Sequence, residues 1–87
     1  MWQINFRKQP LKELASMPKE DSQKVLSAIN ILRKNPFDTS KLDIKKLHGR
    51  KNEWRLRVGN YRVIYEILRA EILIDIIKIE PRGDIYK

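Results

Sequence analysis

The chain has 87 residues, room for one domain with a small core, since chains of this size bury only about 60–70% of their unfolded surface. It has no cysteine and a single histidine, which excludes disulfide scaffolding, thiolate chemistry and a structural zinc site. The formal charge of +8 and a pI near 10.0 point to nucleic acid, an anionic membrane surface or an acidic protein as partner.

No amphipathic stretch has the bulky aromatic face of a membrane-surface helix, so nucleic acid leads among these. Residues 1–7 lack the apolar run of a signal peptide. The most apolar segment, 72–79, is too short for a membrane span and contains Asp75 and Lys78. The expectation is a soluble, cytoplasmic protein without membrane association.

In chain order, residues 2–6 alternate apolar and polar as a short strand does. Leu11, Leu14 and Ala15 have helical spacing within 8–16. Pro18 ends that helix and suits the first position of another. The second helix covers 19–34, with Val25, Ala28, Ile29 and Leu32 on one stripe and Arg33 and Lys34 in its last turn, where cations suit the dipole. Asn35-Pro36 stops it.

Residues 37–52 read as a long charged connection containing Lys41, Lys45, Lys46, His48, Arg50 and Lys51, anchored by Leu42, Ile44 and Leu47. Strands follow at 53–58, 60–68 and 71–79, then a turn at Pro81-Arg82-Gly83-Asp84. A turn near Arg69-Ala70 pairs Ile67 with Ile72, Tyr65 with Ile74 and Val63 with Ile76. The sum is one α+β domain over 1–87, ordered β-α-α-β-β-β. Its helices pack on one face of an antiparallel sheet, against Leu56, Val63, Ile74 and Ile76.

Gly59-Asn60 marks a tight hairpin, because glycine supplies the positive φ that such a turn requires. The implied register sets Val58 opposite Tyr61, Arg57 opposite Arg62, Leu56 opposite Val63, Arg55 opposite Ile64 and Trp54 opposite Tyr65. Residues directly opposite share a face. Trp54, Leu56, Val58, Tyr61, Val63 and Tyr65 therefore make an apolar face, and Arg55, Arg57 and Arg62 gather on the other.

Like charges directly opposite cost about 0.2–1 kcal/mol per pair, so something negative belongs among these arginines. It is either internal, with Glu66 diagonal to Arg55 and Asp75 on the same face, or an external phosphate, whose oxygens a guanidinium fork matches in pairs. Both readings stand for Arg55. For Arg57 and Arg62, which have no evident acid partner, phosphate has the better case.

Other chemistry finds little support. His48 lies in a basic loop without an orienting acid, so a Ser/His/Asp hydrolase does not fit. The glycines at 49, 59 and 83 are scattered and form no phosphate loop. Glu66 and Asp75 beside arginines read as ion-pair partners rather than a two-metal centre. No metal or other cofactor is called for. Tyr86 can stack on a base or pack on the sheet edge, and by position alone packing is the simpler reading.

Lys46-Leu47-His48-Gly49, the run Trp54-Arg55-Leu56-Arg57-Val58-Gly59-Asn60-Tyr61-Arg62-Val63-Ile64-Tyr65, and Pro81-Arg82-Gly83-Asp84-Ile85-Tyr86 resemble the RelE branch of the RelE/ParE toxin superfamily. The resemblance covers nearly the whole chain, including element order. It implies the toxin of a toxin–antitoxin pair, which enters the ribosomal A site and cuts mRNA there. It also implies a RelB-like cognate antitoxin that folds around the toxin, and operator DNA contacted only through that complex.

On the resemblance, Arg62 holds the scissile phosphate, Arg82 stabilises the transition state and Tyr86 stacks on the attacking nucleotide. Arg55 and Arg57 stand where the best-known RelE type has two lysines. Arginine does not give up its proton, so these two serve charge stabilisation instead. Glu80 stands where some members have a basic residue.

The implied reaction is attack of the mRNA 2′-OH on the adjacent phosphorus, giving a 2′,3′-cyclic phosphate and a 5′-OH. Arg57, Arg62 and Arg82 stabilise the charge that develops, Tyr86 is the available protein base, and Arg55, Lys45, Lys46, Arg50 and Lys51 contact RNA. Two alternatives remain open. One is a ParE-like inhibitor of gyrase, and the other is a degenerate member that binds RNA or antitoxin without catalysis.

Overall fold

A computed structural model describes residues 1–47, 49 and 52–81. The elements are β1 (Gln3–Phe6), α1 (Lys8–Ser16), α2 (Lys19–Leu32), β2 (Asp43–Lys46), β3 (Glu53–Val58), β4 (Tyr61–Leu68) and β5 (Leu73–Pro81), with a 3-10 turn at Arg69–Glu71. The strands form one sheet in the order β1-β5-β4-β3-β2. α1 accommodates Pro10 in its first turn, where the missing N–H goes unused. Pro18 caps α2, whose first turn carries Glu20 and Asp21 at the positive end of the dipole.

The stripe Val25, Ala28, Ile29 and Leu32 packs with Met17 against Leu56, Val63, Tyr65, Ile67, Ile74, Ile76 and Ile79 of the sheet, all of them buried. The helical face is therefore the one the alternation marked. α2 ends at Leu32, two residues short of expectation. Arg33 is drawn instead into contact with Trp2, donating from Nε to the Trp2 carbonyl at 3.1 Å while its own carbonyl accepts the Trp2 N–H at 3.0 Å.

Three further features depart from expectation. The sheet is mixed rather than antiparallel, because β1 pairs parallel with β5 from Gln3↔Leu73 to Phe6↔Ile76. The long connection also contains a strand, β2, which pairs with β3. With one buried apolar residue, Ile44, among charged neighbours, it lacks a strand's alternation, and charge suits an exposed sheet edge. The rest of the connection is held by Phe37, whose ring meets those of Trp2 and Trp54 edge-on.

The third departure is the β4–β5 register, which runs Ile67↔Ile74 and Tyr65↔Ile76, two residues off the expected pairing. The 3-10 turn, followed by Ile72 in the left-handed region at φ 51°, uses more chain than a two-residue reversal. A shift of two keeps Ile74 and Ile76 facing the helices. Farther along, Ile64 pairs with Lys78 while Tyr65 pairs with Ile76, so Ile77 is an extra residue, a β-bulge. The bulge shifts the phase of β5. Val63 pairs with buried Ile79, and Lys78 and Glu80 go to the face away from the helices.

Candidate functional site

The sheet face away from the helices bears the candidate site. The hairpin turns at Gly59, whose φ is +56°, and β3 and β4 pair in the expected register, with Arg57 directly opposite Arg62 and Arg55 opposite Ile64. The three guanidinium groups thus share the open face. β2 adds Asp43 opposite Arg57 and Lys45 opposite Arg55. Lys46 pairs with Trp54 and so belongs to the other face, away from the arginines.

Two carboxylates sit among these cations. Arg55 Nη2 donates to Asp43 Oδ1 at 3.1 Å, and Arg57 Nε lies 3.7 Å from Asp43 Oδ2. Glu80 is held between Arg62 Nη2 at 3.1 Å and Lys78 Nζ at 3.3 Å. The expected partners of Arg55, Glu66 and Asp75, are not the ones it has, and Arg57 and Arg62 each have an acid neighbour that the sequence reading lacked. The reason is tertiary: β2 brings Asp43 alongside β3, and the bulge turns Glu80 towards β4.

Charge on this face is divided along the strands. The half nearer the hairpin tip holds Arg55, Arg57, Arg62, Lys45 and Lys78 against Asp43 and Glu80. The other half carries Glu53↔Glu66↔Asp75 across three strands. Asp75 is on the expected face, but it is buried and bonded to β1 and the residue after it. Asn5 Nδ2 donates to Oδ1 at 2.9 Å, and Arg7 donates to Oδ2 from Nε at 3.0 Å and Nη2 at 2.9 Å. That bonding keeps the Arg7 guanidinium protonated more firmly than usual. Among the described residues, no three carboxylate or imidazole groups converge as a cation site requires.

Between the halves lies a cleft of about 390 Å³, lined among the described residues by Leu47, Glu53, Arg62, Ile64, Ile77, Lys78 and Glu80. The Nε atoms of Arg55 and Arg62 are buried without a hydrogen-bond partner. The partly exposed Arg62 guanidinium, which lines the cleft with Lys78, is suited to donate to a phosphate oxygen. Arg57 and Arg62 are partly exposed and Arg55 is mostly covered.

The two described tyrosines of β4 are not bases. Tyr65 is fully buried on the helix side, and burial raises its phenol pKa. Tyr61 is likewise shifted upward, by burial and by donating to Asp21 Oδ2 at 3.0 Å. Arg82, Tyr86, His48, Arg50 and Lys51 lie outside the described residues. The sequence reading missed Asp43, Lys78 and Glu80 as members of this face. The doublet Ile76-Ile77, which interrupts the alternation of β5, was the available sign of a change in phase.

A family model described as the ParE toxin of a type II toxin–antitoxin system, parDE, matches residues 4–86. The RelE1 protein of Methanocaldococcus jannaschii is 36% identical over 84 residues, 97% of this chain and 93% of that protein. The archaeal RelE–RelB complex from Pyrococcus horikoshii OT3 contains a chain that is 36% identical, with a TM-score of 0.83 over 94% of this chain and 96% of that one. The RelB–RelE antitoxin–toxin complex from Methanococcus jannaschii gives 30% identity and a TM-score of 0.77, with 95% of each chain covered.

Proposed function

This chain belongs to the RelE/ParE superfamily of toxins of type II toxin–antitoxin systems, and from that membership we propose a ribosome-dependent endoribonuclease that cuts mRNA in the A site. The observation that carries the reading is the Arg57–Arg62 pair on the open sheet face, where Arg62 lines a cleft with Lys78. The substrate is a phosphodiester whose 2′-OH attacks the adjacent phosphorus. Arg62 and Arg57 bind the phosphate and offset the negative charge that develops on it, usually the largest catalytic contribution. Arg82 adds a third cation, and Tyr86 stacks on the attacking nucleotide.

Arg55 is bonded to Asp43, and its role is to hold charge near the phosphate rather than to move a proton. Lys45, Lys46, Arg50 and Lys51 contact ribosomal RNA. The ribosome orients the 2′-OH, so free RNA is a poor substrate. The partner that neutralises the toxin is a RelB-like antitoxin, as in the complexes of the archaeal relatives. Operator DNA is met only through that complex, and the site of action is the cytoplasm.

Two measurements test the proposal. Expression of the wild type should arrest translation and leave cuts at A-site codons in primer extension, and Arg62→Ala should do neither. Purified toxin should cut ribosome-bound message and spare the same RNA free in solution. Equal rates on both would overturn the ribosome-dependent reading. The family description names ParE, which favours gyrase as the second reading. Inhibition of supercoiling by wild-type protein without RNA cleavage would establish it.

A further inference from the structure

The β-bulge at Ile77 turns Lys78 and Glu80 onto the open face, where the two side chains line the cleft with Arg62. Glu80 Oε1 is 3.1 Å from Arg62 Nη2, and its Oε2 is 3.3 Å from Lys78 Nζ. A guanidinium has five donors. Contact with Glu80 engages one nitrogen of Arg62, whose side chain remains 40% exposed. Arg62 can therefore hold a phosphate oxygen and Glu80 together, which places a carboxylate and an ammonium beside the phosphate. Arg55 and Arg57 cannot exchange protons, and neither described tyrosine of β4 is available.

We propose that Glu80 accepts the 2′-OH proton and Lys78 protonates the leaving oxygen, an assignment that rests on the endoribonuclease reading. The proton of the 2′-OH passes to the Glu80 carboxylate as the 2′-O–P bond forms. The P–O5′ bond breaks, and the 5′-oxygen takes a proton from the Lys78 ammonium. The products are a 2′,3′-cyclic phosphate and a 5′-hydroxyl. Glu80 is left as the acid and Lys78 as the amine. Their direct contact lets the proton return, which restores the starting state without another reactant.

The charged groups around Glu80 are few among the described residues. Arg62 faces it from β4 and Lys78 from its own strand, and Glu53 of β3 lines the same cleft. On the α1 side, neutral Gln9 bonds to the adjoining backbone, and beyond β1 Arg7 is bound to Asp75.

The test is single-turnover cleavage of message on programmed ribosomes, comparing wild type, Glu80→Gln, Glu80→Asp and Lys78→Arg, with each variant's fold checked by circular dichroism. Glu80→Gln should slow cleavage by roughly 100-fold or more at saturating toxin, leave the half-saturating concentration within about twofold of wild type, and abolish the acid limb of the pH–rate profile. Glu80→Asp should keep that limb at a reduced rate. Lys78→Arg retains charge without a transferable proton and should also be slow. A message with sulfur in place of the scissile 5′-oxygen needs no protonation of its leaving group and should restore the Lys78→Arg rate.

A cleaving wild type with Glu80→Gln equally fast or faster, or with its acid limb intact, overturns the assignment alone. Failure of the sulfur substitution to rescue Lys78→Arg overturns the lysine's part. A wild type that leaves ribosome-bound message intact overturns the endoribonuclease reading, and this assignment falls with it.

Discussion

The side-chain amide of Gln9 completes the hydrogen bonding of Ile79: its Nε2 donates to the Ile79 carbonyl, and its Oε1 accepts the Ile79 N–H, both at 2.9 Å. β1 covers β5 only as far as Ile76. Beyond that point an amide from α1 replaces the missing strand, at the residue between Lys78 and Glu80. Gln9→Ala should therefore lower the urea midpoint by an amount equivalent to about 1–2 kcal/mol and speed hydrogen exchange at the Ile79 amide. Unchanged exchange would show that β5 holds its bulge without α1.

Ile72 bears a β-branched side chain in the left-handed region, at φ 51°, with more than half of its surface exposed. That conformation costs an L-residue about 1–2 kcal/mol, and glycine avoids the cost while paying about 0.5–1 kcal/mol in chain entropy. Ile72→Gly should raise stability by about 0.5–1 kcal/mol, read as a higher melting temperature. A fall would mean that the exposed side chain contributes more by packing than the backbone loses in strain.

Among the described residues Tyr65 is the largest fully buried side chain, and its hydroxyl has no hydrogen-bond partner. Burial holds its pKa above the ordinary phenol value of about 10. Above that pH the unfolded chain loses the phenol proton while the folded chain keeps it, so stability is complete below about 10 and declines as pH rises beyond it. Tyr65→Phe should reduce this alkaline loss and leave neutral-pH stability equal or up to about 1 kcal/mol higher. Urea unfolding at neutral and alkaline pH measures both, and an unaltered alkaline slope would assign the loss to other groups.

Asp43 partly neutralises Arg55 and Arg57. Asp43→Asn should tighten binding of a short RNA and steepen its salt dependence, and Arg57→Ala should weaken binding and lower the slope of log K against log salt by about one unit. Titrations from low to physiological salt read both. Equal slopes for the three proteins would place the phosphates elsewhere.

The hairpin, its register and the common face of Arg57 and Arg62 are legible in the chain's local pattern. Alternation with a period of two and a glycine that tolerates positive φ act over a dozen residues, so their outcome is local. The local pattern also fixed the helical stripes, and with them which face of the sheet is covered. Tertiary structure decided which carboxylates meet the arginines. Asp43 arrives on an edge strand with too little apolar content to announce itself, and Glu80 arrives through one extra residue in β5. Asp75 goes to Asn5 and Arg7, about seventy residues away in sequence, because β1 docks parallel at the far edge. A pairing at that separation depends on how the helices fill the space between, and a phase change of one residue is settled by packing across the whole sheet.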